Sequence, residues 1–201
     1  MLVNMGRPRT HDAETGSALL AAAEQVAASE GPESLSVRRV AEEAGTTTRA
    51  VYTLFGSKDG MLVALASNGF DLLGSAVAAL PVTADPVDDL VAAGLVFRRF
   101  VLDHPVLFRV GFQRDAVPPA AARQFAESQR AALRHLVARL DRLSEAGGLA
   151  RVAPQEAAIY FHALCEGLAE LELRGSLPSR RPATRIWREA LRSLLVGLAE
   201  D

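Results

Sequence analysis

The run from Thr47 to Lys58 carries side chains that could recognise a nucleic acid. If it is helical, Val51 and Phe55 lie on one face, and the other face collects polar residues: Thr48, Arg49, Tyr52 and Thr53. Arginine can donate two hydrogen bonds to guanine, and a threonine methyl can contact the thymine methyl. Hydroxyl groups can bind phosphate oxygens, and Lys58, at the start of a following helix, offers a cation to another phosphate. The pattern predicts a DNA-reading face, although a helical hairpin with a solvated polar face would share it.

Two short helices and a tight turn must position this face. The first helix has an apolar side at helical spacing: Val37, Val40, Ala41 and Ala44. Ser36 is placed to cap its N-terminus, and Gly45 can adopt the left-handed conformation that ends it. Thr47 is placed to cap the second helix, which we expect to run to about Phe55. Such a unit commonly presents its second helix to the DNA major groove.

These residues resemble the DNA-binding domain of the TetR/AcrR-type transcriptional regulators. The motif is Val40-Ala41 with Ala44-Gly45, then Tyr52-x-x-Phe55-x-Ser57-Lys58-Asp59 and Leu62, and the resemblance covers about residues 10 to 65. It implies phosphate contacts from Ser36, Thr47, Tyr52 and Lys58, and base-edge contacts from Thr48, Arg49 and Thr53. Thr46 departs from the family pattern, which usually has an apolar residue there.

The N-terminal residues 1–9 form a polar arm that carries Arg7 and Arg9. Many chain termini are disordered and have no further role. In other helix-turn-helix proteins, however, such an arm lies along the DNA. Both interpretations apply, because an arm can be disordered when free and ordered on DNA.

Composition limits the class of protein. The chain has 201 residues, of which 49% are hydrophobic, so it can form a small and a larger helical domain. Its net charge of −2 argues against a general nucleic-acid coat but allows a site-specific reader with a few cations on one face. The single cysteine excludes an intrachain disulfide, which fits a reducing cytoplasm. No signal-peptide core and no stretch that could span a membrane are expected.

The rest of the chain predicts six further helices, over about residues 57–80, 86–104, 105–112, 120–146, 154–174 and 182–201. The expected fold is all-α, with a three-helix N-terminal helix-turn-helix domain in residues 1–56. Residues 57–201 would form a helical domain for ligand binding and dimerisation. The helix over 120–146 is rich in arginine, which predicts a solvated face paired with Glu127, Asp141 and Glu145, or a second nucleic-acid surface.

A ligand site is expected where aromatic residues concentrate. The candidates are Phe97, Phe100, Phe108, Phe112, Phe125 and Phe161, with polar groups from Gln129, Tyr160, His162 and Glu166. A Phe-rich core and an apolar cavity with a few orienting groups would both give this pattern. The segment 97–112 resembles regulators with a WHG-type C-terminal domain, but His162, Glu166 and Gly167 stand where that branch has Trp, His and Gly.

The last two helices carry wide apolar faces, which predict a two-fold dimer through a four-helix bundle. The candidate contact residues are Trp187, Leu191, Leu194 and Leu198.

The candidates for catalysis are His162, Cys165 and Glu166, which share one face of a predicted helix. Cysteine with histidine could act as nucleophile and base, and histidine with glutamate could hold a metal. No third ligand, oxyanion loop or phosphate-binding glycine loop accompanies them, so no enzyme, metal or cofactor is expected. We interpret the chain as a cytoplasmic homodimeric repressor that binds an operator and a small effector. The alternative is a helical small-molecule-binding module, or an enzyme relic, without DNA function.

Overall fold

The computed structural model describes residues 9–112, 119–150, 152–178 and 182–199, and all regular structure within these ranges is helical. The helices are α1 (Arg9–Glu30), α2 (Val37–Glu43), α3 (Thr48–Phe55), α4 (Lys58–Ala78), α5 (Pro86–Asp103), α6 (Pro105–Phe112), α7 (Pro119–Glu145), α8 (Pro154–Leu173) and α9 (Ala183–Ala199). The expected all-α fold is confirmed. The sequence did not predict the short 3₁₀ helix Pro32–Ser34 that follows α1.

The chain forms two compact units. The first comprises Met1–Gly69 with Pro105–Ala126, and the second comprises Phe70–His104 with Glu127–Asp201. The division therefore passes through α4 and α7. The functional division into residues 1–56 and 57–201 stays a prediction.

In the first unit, α1 packs against α2, α3 and α6. One side of α1 is apolar and buried, and it includes Leu19, Ala23 and Val26. These residues meet Val40 of α2 and Val51 of α3 in a common core, since all five are fully or nearly fully buried. This packing fixes α3 by its apolar side and leaves its polar side outward.

In the second unit, α5 packs against α8 and α9. Gly94 allows a close approach, because a Cβ atom there would lie 2.5 Å from the Leu191 side chain. Glu172 of α8 joins the three helices. Its carboxylate accepts from Arg98 Nε at 2.9 Å and from Trp187 Nε1 at 2.9 Å. One partly buried carboxylate thus ties α5 and α9 to α8.

Two arginines of α7 do not lie on the solvated face that the sequence predicted. Arg139 is buried and donates to the carbonyl oxygens of Val77 and Leu80 at 3.0 and 2.9 Å, which caps the C-terminus of α4. Arg142 donates to the Asp89 carboxylate at 2.6 Å. The expectation that these two arginines lie on a solvated face was wrong. Arg139 satisfies carbonyl oxygens at the end of α4 that have no partner within that helix, and Arg142 balances the charge of the buried Asp89 carboxylate.

Helix α4 also corrects the expectation that no stretch could span a membrane. By length and composition alone it qualifies, with a mean hydropathy of 1.4 over its most apolar window. The same window is 56% buried within the protein, as in a helix that packs in a folded core. Met61, Leu65 and Phe70 are among its buried residues, so this apolarity serves internal packing.

Candidate functional site

The turn between α2 and α3 has the geometry that the sequence predicted. The Ser36 hydroxyl accepts from the backbone N–H of Arg39 at 3.2 Å, and the Thr47 hydroxyl accepts from the backbone N–H of Ala50 at 3.3 Å. Gly45 adopts a φ of +63°, a left-handed conformation that other residues rarely adopt. Both predicted caps and the turn glycine are confirmed.

Helix α3 presents a polar face to the surroundings. Val51 is fully buried, whereas Thr48, Arg49 and Thr53 are exposed and Tyr52 exposes 55% of its surface. Ser36, Thr47 and Lys58, the other predicted contact residues, are exposed as well. A tyrosine exposed to this extent offers the apolar face of its ring and its hydroxyl to an external partner.

The cations of this region divide into paired and unpaired ones. Arg38 pairs with Glu42 at 2.8 Å. Arg39 pairs with Glu30 of α1 at 2.6 Å and with Glu43 at 2.9 Å. Within the described ranges, neither Arg49 nor Lys58 has a carboxylate partner in ion-pair distance. Their charge is therefore available to an external anion.

The connection between α3 and α4 depends on Gly60, which the sequence analysis did not identify. Gly56 ends α3 with a φ of +74°, and the Ser57 hydroxyl accepts from the N–H of Gly60 at 2.9 Å. A Cβ atom at Gly60 would lie 2.0 Å from the carbonyl oxygen of Phe55, which is closer than atoms can approach. The sequence signal for this close connection is the presence of two glycines, Gly56 and Gly60, within five residues. Gly60 lets α4 begin close to the end of α3 and so sets where Lys58 lies.

The predicted N-terminal arm lies largely outside the described residues. Arg7 falls outside them, and Arg9 is described only as the first residue of the α1 backbone. Their predicted contact with DNA stays a prediction.

The aromatic residues of the predicted ligand site fall in both compact units. Phe97 and Phe161 are buried in the second unit, and the Phe97 ring meets the His162 ring edge-on with centroids 5.8 Å apart. His162 Nε2 lies 3.1 Å from Glu166 Oε1, and both side chains are partly exposed. The second unit thus places a polar pair beside a buried aromatic ring.

The other candidates for this site lie elsewhere. Phe100 is buried in the second unit, with its ring 5.6 Å from that of His104. Phe108, Phe112 and Phe125 belong to the first unit. Gln129 is exposed. Tyr160 is also exposed, and its hydroxyl donates to the Glu156 carboxylate on the surface of α8. Tyr160 therefore does not turn towards the buried rings.

The thiol of Cys165 has an environment that opposes nucleophilic chemistry. Cys165 is buried, and burial together with the nearby Glu166 charge raises its pKa far above the ordinary value. Since the thiolate is the reactive form, the protonated thiol is a poor nucleophile at neutral pH. Among the described residues, no three His, Cys, Asp or Glu side chains converge as metal ligands would.

Helices α8 and α9 expose a different set of residues from the predicted one. Trp187 and Leu191 are fully buried within the chain, so these two cannot line a surface contact in this conformation. Leu194 and Leu198 are partly exposed. The exposed apolar residues of the two helices include Ile159 at 66% and Val196 at 55%, with Leu171 also exposed.

Family models match both parts of the chain. The model described as bacterial regulatory proteins, tetR family, matches residues 19–65. The model described as tetracyclin repressor-like, C-terminal domain, matches residues 90–194. This second description does not name the WHG branch.

Solved structures share the whole fold. A Rhodococcus sp. RHA1 protein of unknown function is 25% identical, with a TM-score of 0.81 and 100% of both chains covered. A putative TetR-family transcriptional regulator from Rhodococcus sp. is 23% identical, with a TM-score of 0.74, covering 94% of this chain and 100% of the other. The fatty acid degradation regulator FadR of Bacillus halodurans is 16% identical, with a TM-score of 0.73 and 93% and 97% covered. No curated protein matches the sequence.

Proposed function

The chain belongs to the TetR family of bacterial regulatory proteins, and from this premise we propose that it is a repressor that a small, largely apolar molecule releases from its operator. As a member it is a DNA-binding transcriptional regulator, and such regulators are generally not enzymes. We place its action in the cytoplasm, as a homodimer.

Operator binding is supported by two cations without a carboxylate partner among the described residues, Arg49 and Lys58, and by the exposed Tyr52. Arg49 lies on the exposed face of α3, where its guanidinium can reach a guanine edge. Lys58 lies at the start of α4, where the first backbone N–H groups add to its attraction for phosphate. Tyr52, three residues after Arg49 on α3, is exposed on the same side of that helix. The alternative, a helical module without DNA function, gives no reason for these groups to be exposed together.

The capping hydroxyls suit a second role at the same surface. Ser36 and Thr47 already accept a backbone N–H, so each retains its own hydroxyl hydrogen for a phosphate oxygen. Phosphate contacts position a protein on DNA, and base contacts specify the sequence. We therefore assign Ser36, Thr47, Tyr52 and Lys58 to phosphates and Thr48, Arg49 and Thr53 to base edges.

Replacing Arg49 with alanine is expected to weaken operator binding by about 1–3 kcal/mol and to relax preference at one base position. Lys58→Ala is expected to weaken all DNA sequences alike and to reduce the slope of log affinity against log salt by about one. The operator would be selected from random DNA with the wild-type protein, and affinities measured by fluorescence anisotropy across salt concentrations.

Arg99→Ala is the matched control, because Arg99 is an exposed arginine of α5 that belongs neither to the proposed DNA face nor to the proposed dimer surface. It should bind the operator as the wild type does. Normal operator affinity in both Arg49→Ala and Lys58→Ala would sink the assignment of this face to DNA.

The dimer is proposed to form through the exposed side of α8 and α9. A two-fold operator needs two reading heads about 34–36 Å apart, which a symmetric dimer provides. Ile159, Leu171 and Val196 supply exposed apolar surface on both helices, and Leu194 and Leu198 of α9 are partly exposed. Apolar residues at this exposure are costly in water unless a partner covers them.

Ile159→Glu combined with Val196→Glu is expected to convert the dimer to monomers, as measured by sedimentation velocity. Both positions are exposed, so the folded chain tolerates the charges. Val82→Glu is the control, because Val82 is an equally exposed valine in the loop before α5. A stable dimer in the doubly charged variant would place the interface elsewhere.

The effector is proposed to bind beside the His162–Glu166 pair. A buried ring with a partly exposed polar pair on its edge combines apolar surface with orienting groups. The carboxylate of Glu166 favours a hydrogen-bonding or cationic group on a largely apolar molecule. Phe97 and Phe161 supply the apolar surface in this unit.

Glu166→Leu is expected to leave operator binding intact and to abolish release by the effector. Lipophilic amines and alcohols would be screened for release of the wild-type protein from its operator, and the active compound would then be tested on variants. Glu156→Leu is the control, since Glu156 is an exposed carboxylate of the same helix. If Glu166→Leu and His162→Ala both respond as the wild type does, the effector binds at another site.

A further inference from the structure

The outward face of α7 carries its charges in an ordered sequence. Arg130 and Arg134 come first, then the small apolar residues Val137 and Ala138, and then Asp141. Glu145 completes the series. Apart from the adjacent Val137 and Ala138, successive members are three or four residues apart, so the series follows one side of the helix. All are exposed except Val137, which is partly exposed.

The opposite side of α7 is occupied within the chain. Arg139 caps α4 and Arg142 binds Asp89, as described above. Ala132 lies against Gly74 of α4, where an added Cβ atom would come within 3.1 Å of the Ala132 backbone. The arginines of α7 are thus sorted by face. Of the outward ones, Arg134 has no ion-pair partner among the described residues.

An open groove of about 920 Å³ follows this outward face. It is lined by residues of α7 and by Asp71 of α4, and the α7 residues include Arg134, Val137, Ala138 and Asp141. Within the described ranges, neither Arg134 nor Asp141 has an ion-pair partner. The groove has small apolar residues, Val137 and Ala138, in its middle, with Arg134 towards one end and Asp141 towards the other. It therefore fits a helix that carries an acidic and a basic residue in the opposite order.

We propose that this groove takes the α7 helix of a second copy of the chain, paired antiparallel about a two-fold axis between Val137 and Ala138. Arg134 and Asp141 are equally distant from that axis, so Arg134 would meet the partner's Asp141. Arg130 and Glu145 are likewise equally distant from the axis, so Arg130 would meet the partner's Glu145. A two-fold contact makes each pair twice.

The charge order excludes a parallel pairing, which would set arginine against arginine and acid against acid. The remaining charged groups of the groove do not oppose the antiparallel one. Glu127 would lie opposite the partner's Gly148, which is uncharged, and Asp71 stays on the α4 wall. The contact is separate from the DNA-reading face of α3 and from the exposed side of α8 and α9.

A single pair of crossing helices forms a small interface, and its charges are exposed. We therefore expect a weak association that salt screens, giving dimer-to-tetramer assembly at high protein concentration. Such a contact could join two dimers on neighbouring DNA sites, where the local concentration is high.

The test is charge reversal followed by sedimentation equilibrium at low salt, on the full chain. Arg134→Glu and Asp141→Arg are each expected to lower the association constant at least about tenfold, because each converts two attractions into two repulsions. The double variant Arg134→Glu/Asp141→Arg should regain association. An equimolar mixture of the two single variants should also associate, although neither does so alone.

Arg99→Glu is the control, because Arg99 is an exposed arginine of α5 in the same unit. The same variants would also be measured in the Ile159→Glu/Val196→Glu background. There the α8–α9 dimer is abolished, so any remaining association comes from the α7 contact. Equal association in the wild type and both single variants would overturn the proposal. So would loss in the single variants without recovery in the mixture. A loss of DNA affinity with unchanged self-association would assign the arginines to DNA instead.

Discussion

Replacing Asp89 with alanine lowers the free energy of unfolding by about 3–5 kcal/mol, because it removes the counter-charge of the buried Arg139 and the partly buried Arg142. The Asp89 carboxylate is buried and accepts from the Thr83 hydroxyl at 2.7 Å and from Arg142 Nη1 at 2.6 Å. Arg139 Nη1 lies 3.9 Å from it. Without Asp89, the buried guanidinium of Arg139 keeps only carbonyl partners.

Asp88→Ala is the matched control, since Asp88 is the preceding residue and its contact with Arg192 is exposed. It should change stability by less than about 1 kcal/mol. Both would be measured by urea denaturation followed by circular dichroism, at one protein concentration because assembly adds to apparent stability. Equal losses in the two variants would contradict a special role for the buried carboxylate.

The contribution of Asp89 to the free energy of unfolding should depend on pH. Burial alone would raise the pKa of Asp89, but the hydrogen bonds from Thr83 and Arg142 outweigh it and hold the pKa below its ordinary value. A lowered pKa in the folded chain gives stability that is present above the ordinary carboxyl pKa of about 3.9. That stability is lost as the pH falls through the lower, folded value. The difference between wild type and Asp89→Ala should therefore shrink in strong acid.

Replacing Trp187 with alanine is expected to cost about 3–5 kcal/mol of stability, because it empties a large site in the core of the second unit. Trp187 is fully buried, and its indole N–H donates to Glu172. Glu172 would keep Arg98 as a partner, so the loss comes mainly from the cavity. Trp187→Phe should cost less, since it fills most of the space and removes only the hydrogen bond.

Tyr52→Ala serves as the control, because Tyr52 is an aromatic residue with more than half of its surface exposed. Its removal should weaken DNA binding and leave the urea midpoint within the range of surface substitutions. A similar midpoint for Trp187→Ala and wild type would show that the site refills, and the predicted cavity would be absent.

The local chemistry of the helix-turn-helix could be predicted from the sequence because its determinants are neighbours in the chain. Ser36, Gly45 and Thr47 act on backbone groups within three or four positions of themselves. The exposed polar face of α3 follows from helical spacing alone. The assignment of these residues to operator contacts is still a prediction.

Long-range partners could not be predicted in this way. Arg139 looks like any surface arginine in sequence, yet the carbonyl oxygens that it binds lie some sixty residues earlier in the chain. Trp187 and Leu191 mark an apolar face correctly, but spacing does not tell whether a helix of the same chain or of another copy covers it. The apolarity of α4 raised the same ambiguity between a core and a membrane.

The chain contains one tryptophan, and its burial beside Glu172 makes its emission a reporter of the second unit alone. Circular dichroism instead averages over the helices of both units. Coincident unfolding curves from fluorescence and circular dichroism would mean that the two units unfold as one cooperative body. A fluorescence transition displaced from the dichroism curve would mean that the first unit unfolds with a stability of its own.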